Sequence, residues 1–225
     1  MFKKFAVAGP AACVMIFATG ASSNWINQVT ETDGGHRIGK SDAKVTVTEF
    51  VSYTCPACAN FTKDGAGALD FGYVATGKVN LEIRHIIRGP VDLTAVMLTH
   101  CGPPEKFPKN HTAFMLKQDE WLVVMDKTTT AQRNRWVSGD YAARRRAIAS
   151  DLGFYKIMEQ RGYRRTDADK CLADNAKATS LAEQSDENRD KRFVTATPSF
   201  AVNGITLAGT HSWRVLEPQI KLRLP

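Results

Sequence analysis

Lys44-Val45-Thr46-Val47-Thr48-Glu49-Phe50-Val51-Ser52-Tyr53-Thr54-Cys55-Pro56-Ala57-Cys58-Ala59-Asn60-Phe61 is the stretch that decides how this chain is read. Residues 44–51 alternate in polarity and are rich in β-branched side chains, the pattern of a strand. Cys55-Pro56 then opens a helix, because a proline in the first turn forgoes only an N–H that has no intrahelical partner. That helix is expected to reach about Thr76, strained by Gly65 and Gly67. Two cysteines with two residues between them therefore sit where a strand hands over to a helix. Cys55 faces the unpaired N–H groups and positive dipole end of the helix, a field that favours the thiolate, the reactive form. Cys58 lies one turn further in and is expected to be shielded, as suits a resolving thiol.

Such a pair can supply half a zinc site, form an inert disulfide, or cycle as a redox couple. Zinc would need two more ligands, and neither Cys101 nor Cys171 belongs to a second knuckle, so no metal is expected. Against the inert disulfide stands Glu49, six residues before Cys55 on a strand that reads as buried. A carboxyl desolvated there, near Cys58, would have a raised pKa and could hold or pass the proton that Cys58 gains or loses. The plain alternative puts Glu49 on an exposed strand face. The distant partner is Thr197-Pro198-Ser199-Phe200. A proline opening a strand is confined to an edge or a special turn. A cis bond at Pro198 would leave the backbone of Thr197 open to a substrate strand, whereas an ordinary trans proline would carry no such meaning.

Outward from these motifs, residues 79–87 read as a second strand. Residues 91–193 have helical spacing. Residues 199–202 and 205–207 read as a hairpin turned at Asn203-Gly204, and a last helix spans about 212–222, weakened by Pro218. The order is that of an α/β domain split by an all-helical insertion. The expected division is a signal peptide at 1–21, a linker at 22–35, the α/β frame at 36–89 and 194–225, and the insertion at 90–193.

Composition narrows the class. The 225 residues are 43% hydrophobic and 24% charged, which excludes disorder. One long uncharged stretch excludes a multi-span membrane protein, and five cysteines are too few for a coreless disulfide scaffold. Lys3 and Lys4 precede a short apolar run, broken by Gly9-Pro10 and ending in small residues, the pattern of an export signal cleaved near Ala21. Seventeen residues with a helix breaker inside are marginal for a membrane anchor, and the residues before Cys13 lack the leading Leu of a lipoprotein signal. Export would leave Cys55, Cys58, Cys101 and Cys171 in an oxidising compartment, and would lower the formal charge from +7 to +5. Cys101 and Cys171 are either two buried thiols or a bridge. Closing a loop of that length contributes about 4 kcal/mol in the chain-entropy model, and export favours the bridge.

Residues 49–61, EFVSYTCPACANF, together with TPSFAVNG at 197–204, resemble the thioredoxin superfamily. The 143 positions between Cys55 and Pro198, filled by helices, are similar to its DsbA branch of periplasmic thiol:disulfide interchange proteins. The resemblance covers about residues 36–222. It implies a thioredoxin fold interrupted by a helical domain, with Cys55 as nucleophile, Cys58 as resolving cysteine, Glu49 as buried acid and Pro198 as cis-proline with Thr197 before it. It implies a periplasmic monomer without a cofactor, acting on exported unfolded or reduced client proteins and re-oxidised by a membrane redox partner. It also lends support to the Cys101–Cys171 bridge. The best-known members carry Pro-His between the cysteines. Ala57 replaces that His here, so Cys55 is expected to have a higher pKa and the protein to be less oxidising. A reductase or isomerase, and a redox-inactive binding module, are the competing functions. About fifteen residues before the first strand leave little room for the dimerisation domain usual in isomerases.

Other patterns carry less. Gly34 to Ser41 matches the P-loop spacing, but polar residues precede it and a strand follows, the reverse of what phosphate binding requires, so Gly34, Gly35 and Gly39 are expected in turns. Arg144-Arg145-Arg146 and Arg164-Arg165 lack aromatic interleaving, and no nucleic-acid partner is expected. His36, His85, His100, His111 and His211 show no i,i+4 pairing for a metal, and His211 is expected to cap or pack near the last helix.

Overall fold

The computed structural model describes Met1 and residues 24–225; the rest of the expected signal peptide, with Cys13, lies outside them. A hairpin of β1 (Val29–Thr32) and β2 (Gly35–Gly39) leads into β3 (Val45–Val51), α1 (Pro56–Asp64), α2 (Ala66–Leu69), a π-helical turn at Asp70–Val74, and β4 (Val79–His85). The helices α3 (Pro90–Thr99), α4 (Phe107–Leu116), α5 (Gln118–Asp126), α6 (Thr130–Val137), α7 (Tyr141–Asp151), α8 (Phe154–Gln160), α9 (Arg165–Ala173) and α10 (Asn175–Asp190) follow. The chain then returns to the sheet as β5 (Ser199–Val202) and β6 (Ile205–Thr206) and ends in α11 (Trp213–Lys221).

The strands form one six-stranded sheet in the order β1-β2-β4-β3-β5-β6. β3 and β4 run parallel from Val45↔Val79 to Val51↔His85, and the other pairings are antiparallel. β3 is thus central, flanked by β4 and β5, and its Val45, Val47, Phe50 and Val51 are fully buried. This thioredoxin-type frame and the helices share one core, which runs from Val47 and Val51 through Cys58 and Phe61 to Phe114, Trp121, Phe154 and Leu172. A smaller cluster of Phe50, Ile86, Val194 and Ala201 forms separately. Among the described residues no helix is long and apolar enough to cross a membrane.

Three expectations need correction. Within the expected linker at 22–35, Val29–Thr32 is strand β1, which pairs with β2 from Val29↔Ile38 to Thr32↔Gly35. β1 is an edge strand with half-exposed and exposed side chains, so its composition resembles that of a loop. Gly35 and Gly39 lie in β2 rather than in turns, and only Gly34, with φ 97°, sits in the hairpin turn. Gly35 is required by β4, because a Cβ there would lie 2.0 Å from the Ile83 carbonyl oxygen. The helix after Cys55 also breaks at Gly65, where a Cβ would lie 2.8 Å from Cβ of Trp213, so the glycine lets α11 approach closely.

Candidate active site

Where β3 ends, the backbone turns through Ser52, Tyr53 and Thr54 and delivers Cys55 to the N-cap of α1, with Pro56 opening the helix. The turn is tied down by a buried side chain. Asp92, in the first turn of α3, accepts hydrogen bonds from Ser52 Oγ at 2.5 Å, Tyr53 N at 2.8 Å, Thr54 Oγ1 at 3.2 Å and Arg88 N at 3.2 Å. Gln118, the first residue of α5, donates through Nε2 to the carbonyls of Tyr53 at 2.6 Å and Cys55 at 3.0 Å. The helical insertion therefore grips the loop that carries the cysteine and satisfies backbone groups that the turn leaves outside the sheet.

Cys55 and Cys58 are both free thiols. Cys55 is 5% exposed and Cys58 is fully buried. The Cys55 Sγ lies 3.1 Å from the carbonyl oxygen of Thr197, so the segment 142 positions away closes over the thiol. The Thr197–Pro198 bond is cis. Arg88 Nη2 donates to Thr197 Oγ1 at 2.5 Å, and His211 Nδ1 to the Pro198 carbonyl at 2.7 Å. An open groove along α1 is lined by Ala57, Asn60, Phe61, Asp64, His211 and Trp213.

The two thiols are driven in opposite directions. The Cys55 thiol is lowered to about 5, first by the hydrogen bond from Cys58, then by hydrogen bonds from the Thr197 side chain and the Cys58 N–H and by the Arg88 guanidinium, with burial working against them. The Cys58 thiol is pushed far up by burial, and further by donating to Cys55 and by the negative charges of Cys55 and Glu49. Ala57 supplies no cation, yet the Cys55 thiolate is stabilised. The groups that stabilise it are Cys58, Thr197 and Arg88.

Glu49 is 3% exposed on the central strand, and its Oε1 has no hydrogen-bond partner among the described residues. Burial raises it to about 8, with the Asp70 carboxylate adding to the rise. Glu49 is therefore inside, not on an exposed strand face. Asp70, in the π-helical turn, is itself raised to about 6 by burial. The structure thus gathers Cys55, Cys58, Glu49, Thr197 and Pro198 around one point. It adds Arg88, Asp92, Gln118 and Asp70, which the sequence reading had not singled out. An acid two residues after Gly89-Pro90, in the first turn of a helix, was a readable signal for Asp92. Nothing in the local sequence marked Arg88 or Gln118. Away from this site, Cys101 and Cys171 lie with sulfurs 2.00 Å apart, at bonding distance.

Comparison with known proteins agrees with this geometry. Residues 31–221 match the family model described as thioredoxin. The crystal structure of a protein-disulfide isomerase from Novosphingobium aromaticivorans superposes with a TM-score of 0.81 and 46% identity, covering 86% of this chain and 98% of that one. Wolbachia pipientis alpha-DsbA1 superposes with a TM-score of 0.67 at 20% identity over 85% of this chain and 92% of its own, a likeness of fold. A Rickettsia bellii protein named as a protein-disulfide oxidoreductase is 29% identical over 170 residues, which is 75% of this chain and 56% of the relative. The chain spans about half the length of the curated relatives it matches.

Proposed function

Because the chain belongs to the thioredoxin family, we propose that it is a DsbA-type thiol–disulfide oxidoreductase that introduces disulfides into exported proteins through Cys55 and Cys58. The observation that carries this reading is the opposition of the two thiols: Cys55 is lowered to about 5, and Cys58, one turn away, is raised. A stable Cys55 thiolate favours the reduced pair, and a couple whose reduced form is favoured is an oxidant of other thiols.

The exchange balances in two steps. With the pair oxidised, a substrate thiolate attacks Sγ of Cys55; a substrate–Cys55 disulfide forms and the Cys55–Cys58 bond breaks, releasing Cys58 as a thiolate. The neutral carboxyl of Glu49, raised to about 8, is the acid that supplies its proton. A second substrate thiolate then attacks the substrate sulfur of the mixed disulfide. The substrate leaves with its own disulfide, and Cys55 leaves as the thiolate stabilised by Cys58, Thr197 and Arg88. Thr197 and Pro198, beside the Cys55 sulfur, form the edge against which an extended client segment lies. Two electrons remain on the cysteine pair, and a membrane redox partner of the periplasm removes them. The working unit is a monomer.

A second reading, disulfide isomerisation, is favoured by the name of the Novosphingobium structure. Oxidative refolding of a reduced model protein, run beside insulin reduction and reshuffling of a scrambled substrate, separates the two. Fast refolding with slow reshuffling is expected, and the reverse ranking would replace the oxidase by the isomerase. Cys58→Ser should trap mixed disulfides with clients and Cys55→Ser should trap none; the opposite pattern would sink the assignment of Cys55 as nucleophile.

A further inference from the structure

Four histidines that are scattered in the sequence meet in one place. His36 lies on β2, His85 at the end of β4, His100 just after α3, and His111 within α4. The rings of His36 and His100 are 4.5 Å apart between centroids, and those of His85 and His100 are 5.0 Å apart, with Nε2 to Nε2 at 3.0 Å. Phe107 stacks on His36 at 3.9 Å. His111 turns to a different partner, the Tyr53 hydroxyl, at 2.9 Å from its Nδ1.

Glu31 completes the group. The hairpin register sets it directly opposite His36, so both side chains leave the sheet on the same face. One ligating atom from each of Glu31, His36 and His100 lies within 4.8 Å of the other two. The Nδ1 atoms of His36, His85 and His100 are buried and have no hydrogen-bond partner among the described residues. His36 itself is only 2% exposed. Buried imidazole nitrogens without partners are costly, and an unseen ion is one of the few things that satisfies them.

We propose that Glu31, His36 and His100 form a binding site for a divalent transition-metal ion of the zinc type, with water as a fourth ligand and His85 holding the His100 ring. Nε2 of His100 is engaged by His85, which leaves Nδ1 as the nitrogen for the ion. A partner on the second ring nitrogen is what orients most metal-bound histidines. Ligand atoms around such an ion sit roughly 3.5 Å apart, given bonds of about 2.0–2.2 Å, so the three side chains draw together by about 1 Å on binding. The Lys177 ammonium already pairs with one oxygen of Glu31, leaving the other for the ion. Its charge opposes the ion. A bound ion would fasten the β1–β2 hairpin to the end of α3, joining the first strands of the frame to the helical insertion.

The test uses the purified protein with Cys55 and Cys58 oxidised to the disulfide, so that those thiols cannot take the metal. Zn²⁺ is titrated by calorimetry, and Co²⁺ by its visible absorption. The expected result is one equivalent bound, with the unfolding midpoint raised by about 5 °C at roughly a hundredfold excess over the dissociation constant. His36→Gln and His100→Gln should each weaken binding at least about tenfold, the scale on which even outer partners of a ligand act. Glu31→Gln should weaken it, and Lys177→Met should tighten it, by removing the opposing charge. Glu31 and Lys177 sit at the rim of the cluster, with side chains 45% and 34% exposed, so these two variants keep their fold even where a histidine variant does not. No binding by the oxidised wild-type protein, or binding that neither rim variant changes, overturns the site.

Discussion

The two cysteine pairs of this chain invert the order of their sequence spacing. Cys55 and Cys58 are three positions apart and stand as separate thiols, whereas Cys101 and Cys171 are separated by 70 positions and have sulfurs 2.00 Å apart. Their surroundings differ in kind. Cys55 has a helix N-terminus, the Thr197 side chain and the Arg88 charge around it, with a buried acid beneath its partner. Cys101 is held through its backbone, where its carbonyl accepts hydrogen bonds from Tyr163 Oη at 2.5 Å and Asn110 Nδ2 at 3.5 Å. Spacing alone does not make a cysteine reactive. An environment that stabilises one sulfur as an anion and keeps the other protonated does so.

The sharpest way to break this comparison is to disable each pair in turn. Cys55→Ser should lower the rate of thiol–disulfide exchange by about a thousandfold or more, since the hydroxyl is no nucleophile for a disulfide. The double variant Cys101→Ala with Cys171→Ala should keep the exchange rate within about twofold, because neither sulfur belongs to the redox couple. Its cost is in stability: opening a loop of that length removes about 4 kcal/mol in the chain-entropy model, which urea unfolding will read directly. A large loss of exchange in the double variant would give the second pair a redox role.

Glu49→Gln tests the acid beneath the pair. Its removal should slow the release of Cys58 by about tenfold or more, measured as the single-turnover rate of mixed-disulfide formation. The same variant has a stability signature. Burial raises Glu49 from 4.5 to about 8, so in that interval the folded protein holds a proton that the unfolded chain releases. The Glu49 contribution is full below pH 4.5 and lost as the pH rises through about 8. Glu49→Gln should therefore leave stability nearly unchanged at the acid end and raise it relative to wild type above pH 8. An identical pH profile in both proteins would place Glu49 in solvent.

The smallest effects distinguish the supports of the Cys55 thiolate. Ultraviolet thiolate absorbance should titrate with a midpoint near 5. Cys58→Ala and Arg88→Met should both raise that midpoint, with Cys58→Ala the larger, because the Cys58 hydrogen bond is the largest cause of the shift and Arg88 the smallest of those named. The folded value lies below the unfolded 9.0, so the stabilisation of the reduced form is present above pH 9 and is lost as the pH falls through about 5. The stability gap between reduced and oxidised protein should narrow over that window, and a gap independent of pH would contradict the low Cys55 value.

Much of the fold was legible in the sequence because its central signals are local. The alternation of 45–51, the proline after Cys55, and Asn203-Gly204 between short apolar runs each constrain their own backbone, and the strands and helix they announce are present. The edge strand β1 was not legible, because an exposed strand has no apolar face to display and shows itself only through pairing with β2. In the candidate site, Cys55, Cys58, Glu49, Thr197 and Pro198 were marked by motif and spacing. Arg88, Asp92 and Gln118 were not, since a residue that secures a turn from another helix leaves no trace in the sequence around either partner. The histidines carried no helical i,i+4 pattern for the same reason: their meeting is between two strands and two helical segments.

By itself, then, the sequence determined the central strands, the hairpin at Asn203-Gly204, the helical character of the insertion and the placing of one cysteine at a helix start, because dihedral preference, apolar periodicity and the helix dipole act within a few residues. Only the tertiary structure decided which way each thiol is driven, which carboxyl is neutral and which histidines share a site. Desolvation and charge act through space, and on this chain the groups that exert them lie up to 142 positions from the cysteine they control.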